Sequence, residues 1–310
     1  MYELTTCPVC SSINIQKISP YRGFKKMGSN IHLFHCDNCK LVFCNPMPTD
    51  LELNVYNSEY FLNAHGGFSE NPLILGFQSA INKLRVNYVT EYINNNKIKI
   101  NNVLEIGPGS GMFIRHFKSL FTNVNYSIYE TDLTLREKLQ DKVDNSYSNI
   151  ELVPPGEFDL IVCSHVLEHT NKPNEFLQNL LSKLRPYGIL FIEVPCLDYI
   201  FKKVDEPHLL FFNTNSLSTL LMQNSFQDIQ ISFCGPKVDE SKFHLFIRDL
   251  VQRVLEIIYE IRFGFIFKYI FFTKGKHYTI EEIITILPYG FLKSKKSESW
   301  WMRSICRKSY

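Results

Sequence analysis

The chain has 310 residues, 45% of them hydrophobic, which suits one large domain plus a small one and excludes a disordered polymer. Its 33 basic and 31 acidic residues leave a formal net charge of +2, without the electrostatic footprint of a nucleic-acid-binding protein. The first ten residues contain no apolar signal-peptide core, so a cytoplasmic protein is expected. In that reducing compartment nine cysteines call for an explanation other than disulfides.

Five of those cysteines fall within the first 44 residues. Cys7-Pro8-Val9-Cys10 and Cys36-Asp37-Asn38-Cys39 are two C-x-x-C knuckles with twenty-five residues between them. Each knuckle places two thiolates on one side of a tight turn, and together they make a closed tetrahedral site suited to structural zinc. Strands fit at 12–18 and 30–35. A ribbon of about 45 residues buries little surface, so the metal would supply its stability. Cys44, His32 and His35 read as bystanders, and Cys163, Cys196, Cys234 and Cys306 as small core residues. The prolines of 41–48 end any regular element. Thr49-Asp50 then caps a helix to about residue 62 that puts Tyr56 and Tyr60 on one face, and His65-Gly66-Gly67 breaks the chain. A long amphipathic helix is expected over 72–94, with Leu75, Phe77, Ile81, Leu84, Tyr88 and Ile93 near one stripe.

Asn102-Val103-Leu104-Glu105-Ile106-Gly107-Pro108-Gly109-Ser110-Gly111 reads as strand and glycine turn, and 112–117 has helical spacing. This is the opening βα unit of a doubly wound sheet, whose glycines let backbone approach a ligand closely. Met112 stands where the dinucleotide fingerprint G-x-G-x-x-G needs glycine; the spacing is E-x-G-x-G-x-G, and Glu105 can meet a cationic ammonium beside the turn. Glu130 ends the next strand, 125–129, where ribose hydroxyls are gripped in such folds. On these residues the chain resembles the class I S-adenosylmethionine-dependent methyltransferases. The resemblance implies that Glu105, Gly107, Gly109, Gly111 and Glu130 hold S-adenosylmethionine.

Asp132 caps a helix through 140, and the poorly marked third strand is placed at 147–153. The apolar run 158–163 reads as a buried parallel strand, delivering Ser164-His165-Val166-Leu167-Glu168-His169 at its carboxyl end. This segment matches the fourth-strand motif of the family, which implies Ser164 and His165 along the cofactor and Glu168 and His169 facing the methyl group or the substrate. Three readings of Glu168–His169 stay open: a pair that orients or deprotonates a hydroxyl, a magnesium site as in related quinone O-methyltransferases, or a helix-start pair bonded to backbone. A helix over 172–184, a turn at 185–188 and a strand at 189–194 again follow the family pattern.

The ribbon, the Tyr-x-x-x-Tyr helix and the cofactor turn together are similar to a sub-group acting on sugars or nucleotide-linked sugars, including deoxysugar C-methyltransferases. That resemblance implies Tyr56, Tyr60 and Glu168 at the substrate. It also implies His208, in the loop 196–212, as the base, with Glu206 two positions before it as its acid and His169 beside the reaction. An imidazole with a carboxylate neighbour is suited to proton abstraction near neutral pH. Val204 and Asp205 stand where those enzymes often carry a tyrosine, which leaves carbon versus oxygen methylation open.

A sixth strand is expected at 225–233, and the last, antiparallel strand only at 300–308, so 236–299 is an insertion. It opens with an apolar helix, 243–272, in which Asp249, Arg253, Glu256, Glu260, Arg262 and Lys268 recur too often for a membrane span. A homodimer interface, a lid and a membrane-surface helix are its three readings. The expected fold is α/β: a Rossmann-like seven-stranded methyltransferase sheet (99–235, completed by 300–310), an N-terminal zinc ribbon (1–48), a helical substrate-side region (49–98) and a C-terminal helical insertion (236–299). The expected activity is S-adenosylmethionine-dependent methyl transfer to a small polar acceptor, a sugar or nucleotide-linked sugar of surface-glycan biosynthesis. Two alternatives are O-methylation of a quinone or lipid-linked acceptor, and a zinc-ribbon scaffold with an inactive core.

Overall fold

The computed structural model describes residues 1–23, 30–57, 69–261 and 278–309. Strands β1 (Ile15–Pro20), β2 (His32–Cys36) and β3 (Val42–Asn45) form an antiparallel ribbon, with Gln16 opposite His35 and Phe34 opposite Phe43. The third of these was not anticipated. Pro46 and Pro48 lie just past its end, so the four residues before them keep the amide groups a ladder needs. Helix α1 (Asp50–Asn57) opens on a capping box, in which Glu52 N–H donates to the Thr49 hydroxyl and Thr49 N–H to the Glu52 carboxylate. The rest of that expected helix, including Tyr60, lies outside the described residues. Helix α2 (Pro72–Asn95) starts at Asn71, whose side chain accepts from Leu73 and Ile74 N–H, with Pro72 in the first turn. Its buried face carries Ile81, Leu84, Val86, Val89 and Ile93, while Leu75 of the expected stripe stays exposed.

Successive βα units follow: β4 (Asn102–Ile106), α3 (Met112–Leu120), β5 (Asn125–Tyr129), α4 (Leu133–Leu139), β6 (Asn145–Tyr147), β7 (Phe158–Ser164), α5 (Pro173–Lys183) and β8 (Leu184–Pro195). After them come the two-residue β9 (Leu210–Phe211), α6 (Thr214–Gln223), β10 (Phe226–Lys237), α7 (Lys242–Glu260), α8 (Ile280–Ile286) and β11 (Ser299–Lys308). The large sheet has seven strands in the order β10-β11-β8-β7-β4-β5-β6. Strands β4 to β8 pair in parallel, and β11 runs antiparallel between β8 and β10. The chain leaves β4 on one side through β5 and returns on the other through β7. In doubly wound sheets ligands bind beyond the strand ends at such a switch point.

β6 is shorter than expected and ends at Tyr147: its first two residues are polar and exposed, and the apolar signal of 147–153 belongs to a single 3-10 turn that buries Val153. The expected turn at 185–188 is instead a bulge inside β8, where the register jumps from Phe158 opposite Leu184 to Leu160 opposite Ile189. The insertion before β11 is present. Its expected helix 243–272 is described as α7 as far as Glu260, with Ile261 as its C-cap, and 262–272 lies outside the described residues. Among the described residues no helix is long and apolar enough to cross a membrane.

The two faces of the sheet bury different partners. Val103, Leu160 and Phe191 pack against Val86, Val89, Phe113 and Phe117 of the helices on one side. Leu104, Ile161 and Leu190 belong on the other side to a core continuous with Leu33, Leu41 and Phe43 of the ribbon. The ribbon is therefore seated on the sheet by apolar burial as well as by pairing. β9, from the loop after β8, is its fourth strand, with Val42 opposite Phe211 and Phe43 opposite Leu210.

Candidate active site

The glycine turn stands at the carboxyl end of β4. Gly107, Gly109 and Gly111 all have left-handed backbone, with φ of 62°, 53° and 73°, a region costly for residues with a Cβ. Their surroundings differ. A Cβ on Gly107 would meet Val166 at 2.7 Å, and one on Gly111 would collide with Leu139, whereas one on Gly109 would point into open space. Glu105 lies buried below the turn and accepts a 2.8 Å hydrogen bond from the Tyr126 hydroxyl. Burial pushes its pKa up to about 8, outweighing Tyr126 and Arg85, which act the other way. Glu130, at the end of β5, accepts from Asp132 N–H at 2.9 Å and is raised to about 7, again by burial. Two poorly solvated carboxylates beside an open glycine fit a ligand that brings an ammonium and hydroxyl donors.

The segment after β7 faces this turn through Val166. His165 has a positive φ of 55° and lies edge-on to Trp301 at 4.9 Å. Its Nδ1 is 3.2 Å from Glu168 and its Nε2 3.2 Å from Glu193. Burial lowers its pKa, but these two carboxylates outweigh that and leave it raised. Glu193, wholly buried on β8, is gripped by Arg85 at 2.6 Å and Arg303 at 2.5 Å. Those cations overcome its desolvation and hold it well below the usual carboxylate range. The Ser164 hydroxyl is buried with no hydrogen-bond partner among the described residues.

Glu168 has no exposed surface, and neither of its carboxylate oxygens accepts a directed hydrogen bond among the described residues. Burial alone would raise its pKa; His165, His169 and His208 together lower it. His169 Nδ1 lies 3.2 Å from the Pro207 carbonyl, and burial drives this imidazole down to about 4, so it is neutral at physiological pH. Its ring meets that of His208 edge-on, with centroids 4.9 Å apart. Ligating atoms of Glu168, His169 and His208 all lie within 4.8 Å of one another.

The acid beside His208 is not Glu206, the partner that the resemblance implies. His208 Nδ1 lies 2.7 Å from Asp198 Oδ2. Asp198 is buried, yet His208 and Lys202 outweigh its desolvation and keep it ionised. Glu206 instead borders Gly23 and stands close enough to Tyr56 to help burial raise that phenol to about 12. The ribbon clamps the His208 loop from below. Tyr21 and Cys44 donate to the His208 carbonyl at 3.1 and 3.7 Å, and Arg22 binds Asp205 through two nitrogens. From the sheet side, Leu209 N–H donates to the Glu168 carbonyl at 2.8 Å.

In the ribbon, Sγ of Cys7 and Cys39 are 3.6 Å apart, those of Cys10 and Cys36 3.5 Å, and all four lie within 4.8 Å. A tetrahedral zinc with bonds of about 2.3 Å needs sulfurs about 3.8 Å apart, so the four thiols fit the ion. Cys44 lies on β3 under His208, and His35 pairs with Asp37 at 3.2 Å, which leaves both outside the cluster.

The sequence identified the glycine turn, both acids and the three titratable residues that meet at the end of β7. It missed Asp198, which no spacing rule connects to a histidine ten residues later. It also missed the Arg85–Glu193–Arg303 cluster, although a charge inside each of three apolar patterns was the available signal.

A methyltransferase domain family model matches residues 78–235, just over half the chain. The chain belongs to this family. Over 125 residues it is 30% identical to the ubiquinone biosynthesis O-methyltransferase of Rickettsia bellii (strain OSU 85-389), covering 38% of this chain and 52% of that protein. The chain thus spans about half the length of the curated relatives it matches. Among solved structures, a SAM-dependent methyltransferase of Thermotoga maritima, described as a possible histamine N-methyltransferase, superposes with a TM-score of 0.51 at 14% identity, covering 82% of this chain and 99% of that one. Haemonchus contortus phosphoethanolamine N-methyltransferase 2, solved with S-adenosyl-L-methionine, gives 0.50 at 13% identity, covering 87% and 63%. At these identities the likeness establishes the fold, that of the S-adenosylmethionine-dependent methyltransferases.

Proposed function

We propose that the protein transfers the methyl group of S-adenosylmethionine to an acidic hydroxyl of a small aromatic acceptor of the quinol type. The observation that carries the reading is the buried His208–Asp198 pair beside Glu168 and His169, one short segment away from the glycine turn. Asp198 holds Nδ1–H and stabilises the imidazolium, which leaves Nε2 to take the acceptor's proton as its oxygen attacks. When bound, the sulfonium supplies an already activated methyl group. The chain's own work is positioning and water exclusion. Glu105 and Glu130, the open face of Gly109 and the orphaned Ser164 hydroxyl support cofactor binding there. His165, locked between two carboxylates, would line it. Tyr56 and Glu168 would face the acceptor.

The sugar acceptor implied by resemblance finds no support among the relatives, which carry quinone O-methyltransferase names and favour the alternative. Cys7, Cys10, Cys36 and Cys39 would hold zinc as a structural clamp. The test is transfer of labelled methyl from S-adenosylmethionine to a catechol panel and, separately, to nucleotide sugars. Catechol methylation that falls at least ~100-fold in His208→Ala is the expected result. Transfer to nucleotide sugars alone would overturn the acceptor, and cofactor binding without any transfer would favour the scaffold reading.

The fully buried carboxylate of Glu168, with three histidines around it, favours a second reading, in which Glu168, His169 and His208 hold a divalent cation. Both imidazoles have Nδ1 beside an oxygen acceptor, Pro207 O for His169 and Asp198 Oδ2 for His208, the arrangement that orients a metal-ligating imidazole. Such an ion would acidify the hydroxyl directly. Turnover abolished by a chelator and restored by added cation would select this reading; chelator-insensitive turnover selects His208 as base.

A further inference from the structure

Helix α7 presents its apolar face away from the protein. Its attachments to the body come from the opposite side: Arg248 bonds to Glu240 at 2.8 Å, Asp249 accepts from the Tyr289 hydroxyl at 2.8 Å, and Tyr259 donates to Glu281 at 3.0 Å. No residue of the helix is buried. Phe243, Ile247, Leu250, Val254, Ile257 and, at the C-cap, Ile261 are between 40% and 67% exposed. A surface helix normally buries this stripe.

The steps between those six residues are four, three, four, three and four, the a/d repeat of a two-helix seam. Ile247, Val254 and Ile261 take the a positions, and Phe243, Leu250 and Ile257 the d positions. Val251 and Ile258 then fall at e, and Arg253 and Glu260 at g. Among the described residues neither Arg253 nor Glu260 has an ion-pair partner. A parallel pair would set g against e, placing Arg253 on Ile258. An antiparallel pair sets g against g and e against e. Arg253 then meets Glu260 of the second copy, twice by symmetry, while Val251 meets Ile258. The same register puts Val254 on Ile257 and Leu250 on Ile261, so side chains and charges agree on one alignment. The stretch 242–261 carries three basic and three acidic residues, without the basic excess of a helix that lies on anionic lipid.

We propose that the occupant of this face is a second copy of the chain, docked through antiparallel α7 helices about a two-fold axis between Leu255 and Glu256. The test is sedimentation equilibrium of the full-length protein from 1 to 100 μM (about the range a single helix pair supports). A dimer is expected, and Leu250→Glu with Ile257→Glu should leave a monomer of unchanged circular dichroism. Arg253→Glu should weaken the dimer about tenfold, and Arg253→Glu combined with Glu260→Arg should restore it. Monomer throughout would overturn the proposal, as would a dimer indifferent to both charge variants. Binding of the monomer to anionic phosphatidylserine vesicles through the same face would overturn it in favour of a membrane surface.

Discussion

The two sides of the cleft are assembled in opposite ways. The side proposed to bind the cofactor is local: β4, one glycine turn and the end of β5 bring Glu105, Gly109 and Glu130 together within 26 residues of chain. The side proposed to meet the acceptor is gathered from far apart. Its His208 is oriented by Asp198, supported from beneath by Tyr21, Arg22 and Cys44 of the ribbon, and tied through Leu209 to the end of β7. One side tolerates disturbance elsewhere; the other depends on several elements staying docked.

Metal removal should separate them most sharply. Stripping the proposed zinc, or the pair Cys36→Ser and Cys39→Ser, is expected to lower kcat by ~1,000-fold or more, because β3, β9 and His208 lose their common footing. Affinity for S-adenosylhomocysteine by calorimetry should stay within about threefold, since ligand contacts on the glycine turn remain. If both quantities collapse together, the ribbon supports the whole sheet and the two sides are not independent. Asp198→Asn is the finer cut. It keeps the shape but loses the charge on Nδ1, so kcat should fall about 100-fold with cofactor affinity unchanged.

Glu105→Gln addresses the other side. Above about pH 8, where its carboxyl is ionised, losing a charge-assisted hydrogen bond of about 1.5–3 kcal/mol should weaken cofactor binding roughly 10- to 100-fold, while kcat at saturating cofactor changes little. The pH dependence follows in sign from the raised carboxyls. Below its pKa of about 8 Glu105 is largely protonated and cannot meet an ammonium, and Glu130 adds a second step near 7. Cofactor affinity should therefore rise from pH 6 to 9, and the upper part of that rise should vanish in Glu105→Gln. The smallest effect is on stability. Gly109→Ala should lose about 1–2 kcal/mol from its left-handed backbone alone. Gly111→Ala should lose more, because its new methyl also meets Leu139. Thermal melts rank the two, and Gly109→Ala should retain the fold while losing cofactor.

What was readable in the sequence follows the same division. Periodicity and punctuation are properties of neighbouring residues, so β4, β5, β7, α2 and the late last strand were placed within a few positions. The knuckles, the cap at Asp132 and the glycine turn are likewise short-range patterns. β9 is two residues long and exists only because β3 offers it an edge, so no window of sequence carries its signal. Glu206 was chosen for nearness in sequence, but the loop turns it toward Tyr56 and brings Asp198 beneath the imidazole instead. Glu193, with three charged partners from three elements, shows the same limit: a buried acid announces that it has partners without saying where they come from.

The placement of β9 has a consequence for how the chain is made. The ribbon leaves the ribosome well ahead of the segment that completes it: its sheet lacks a last strand until residues 210–211 follow, more than 160 residues later. Until then β3 is an open edge with unpaired amides, the kind of surface on which nascent chains associate wrongly. Closing it is a long-range step that slows folding. A fragment cut after residue 48 would carry that exposed edge permanently, so it should aggregate even when loaded with zinc.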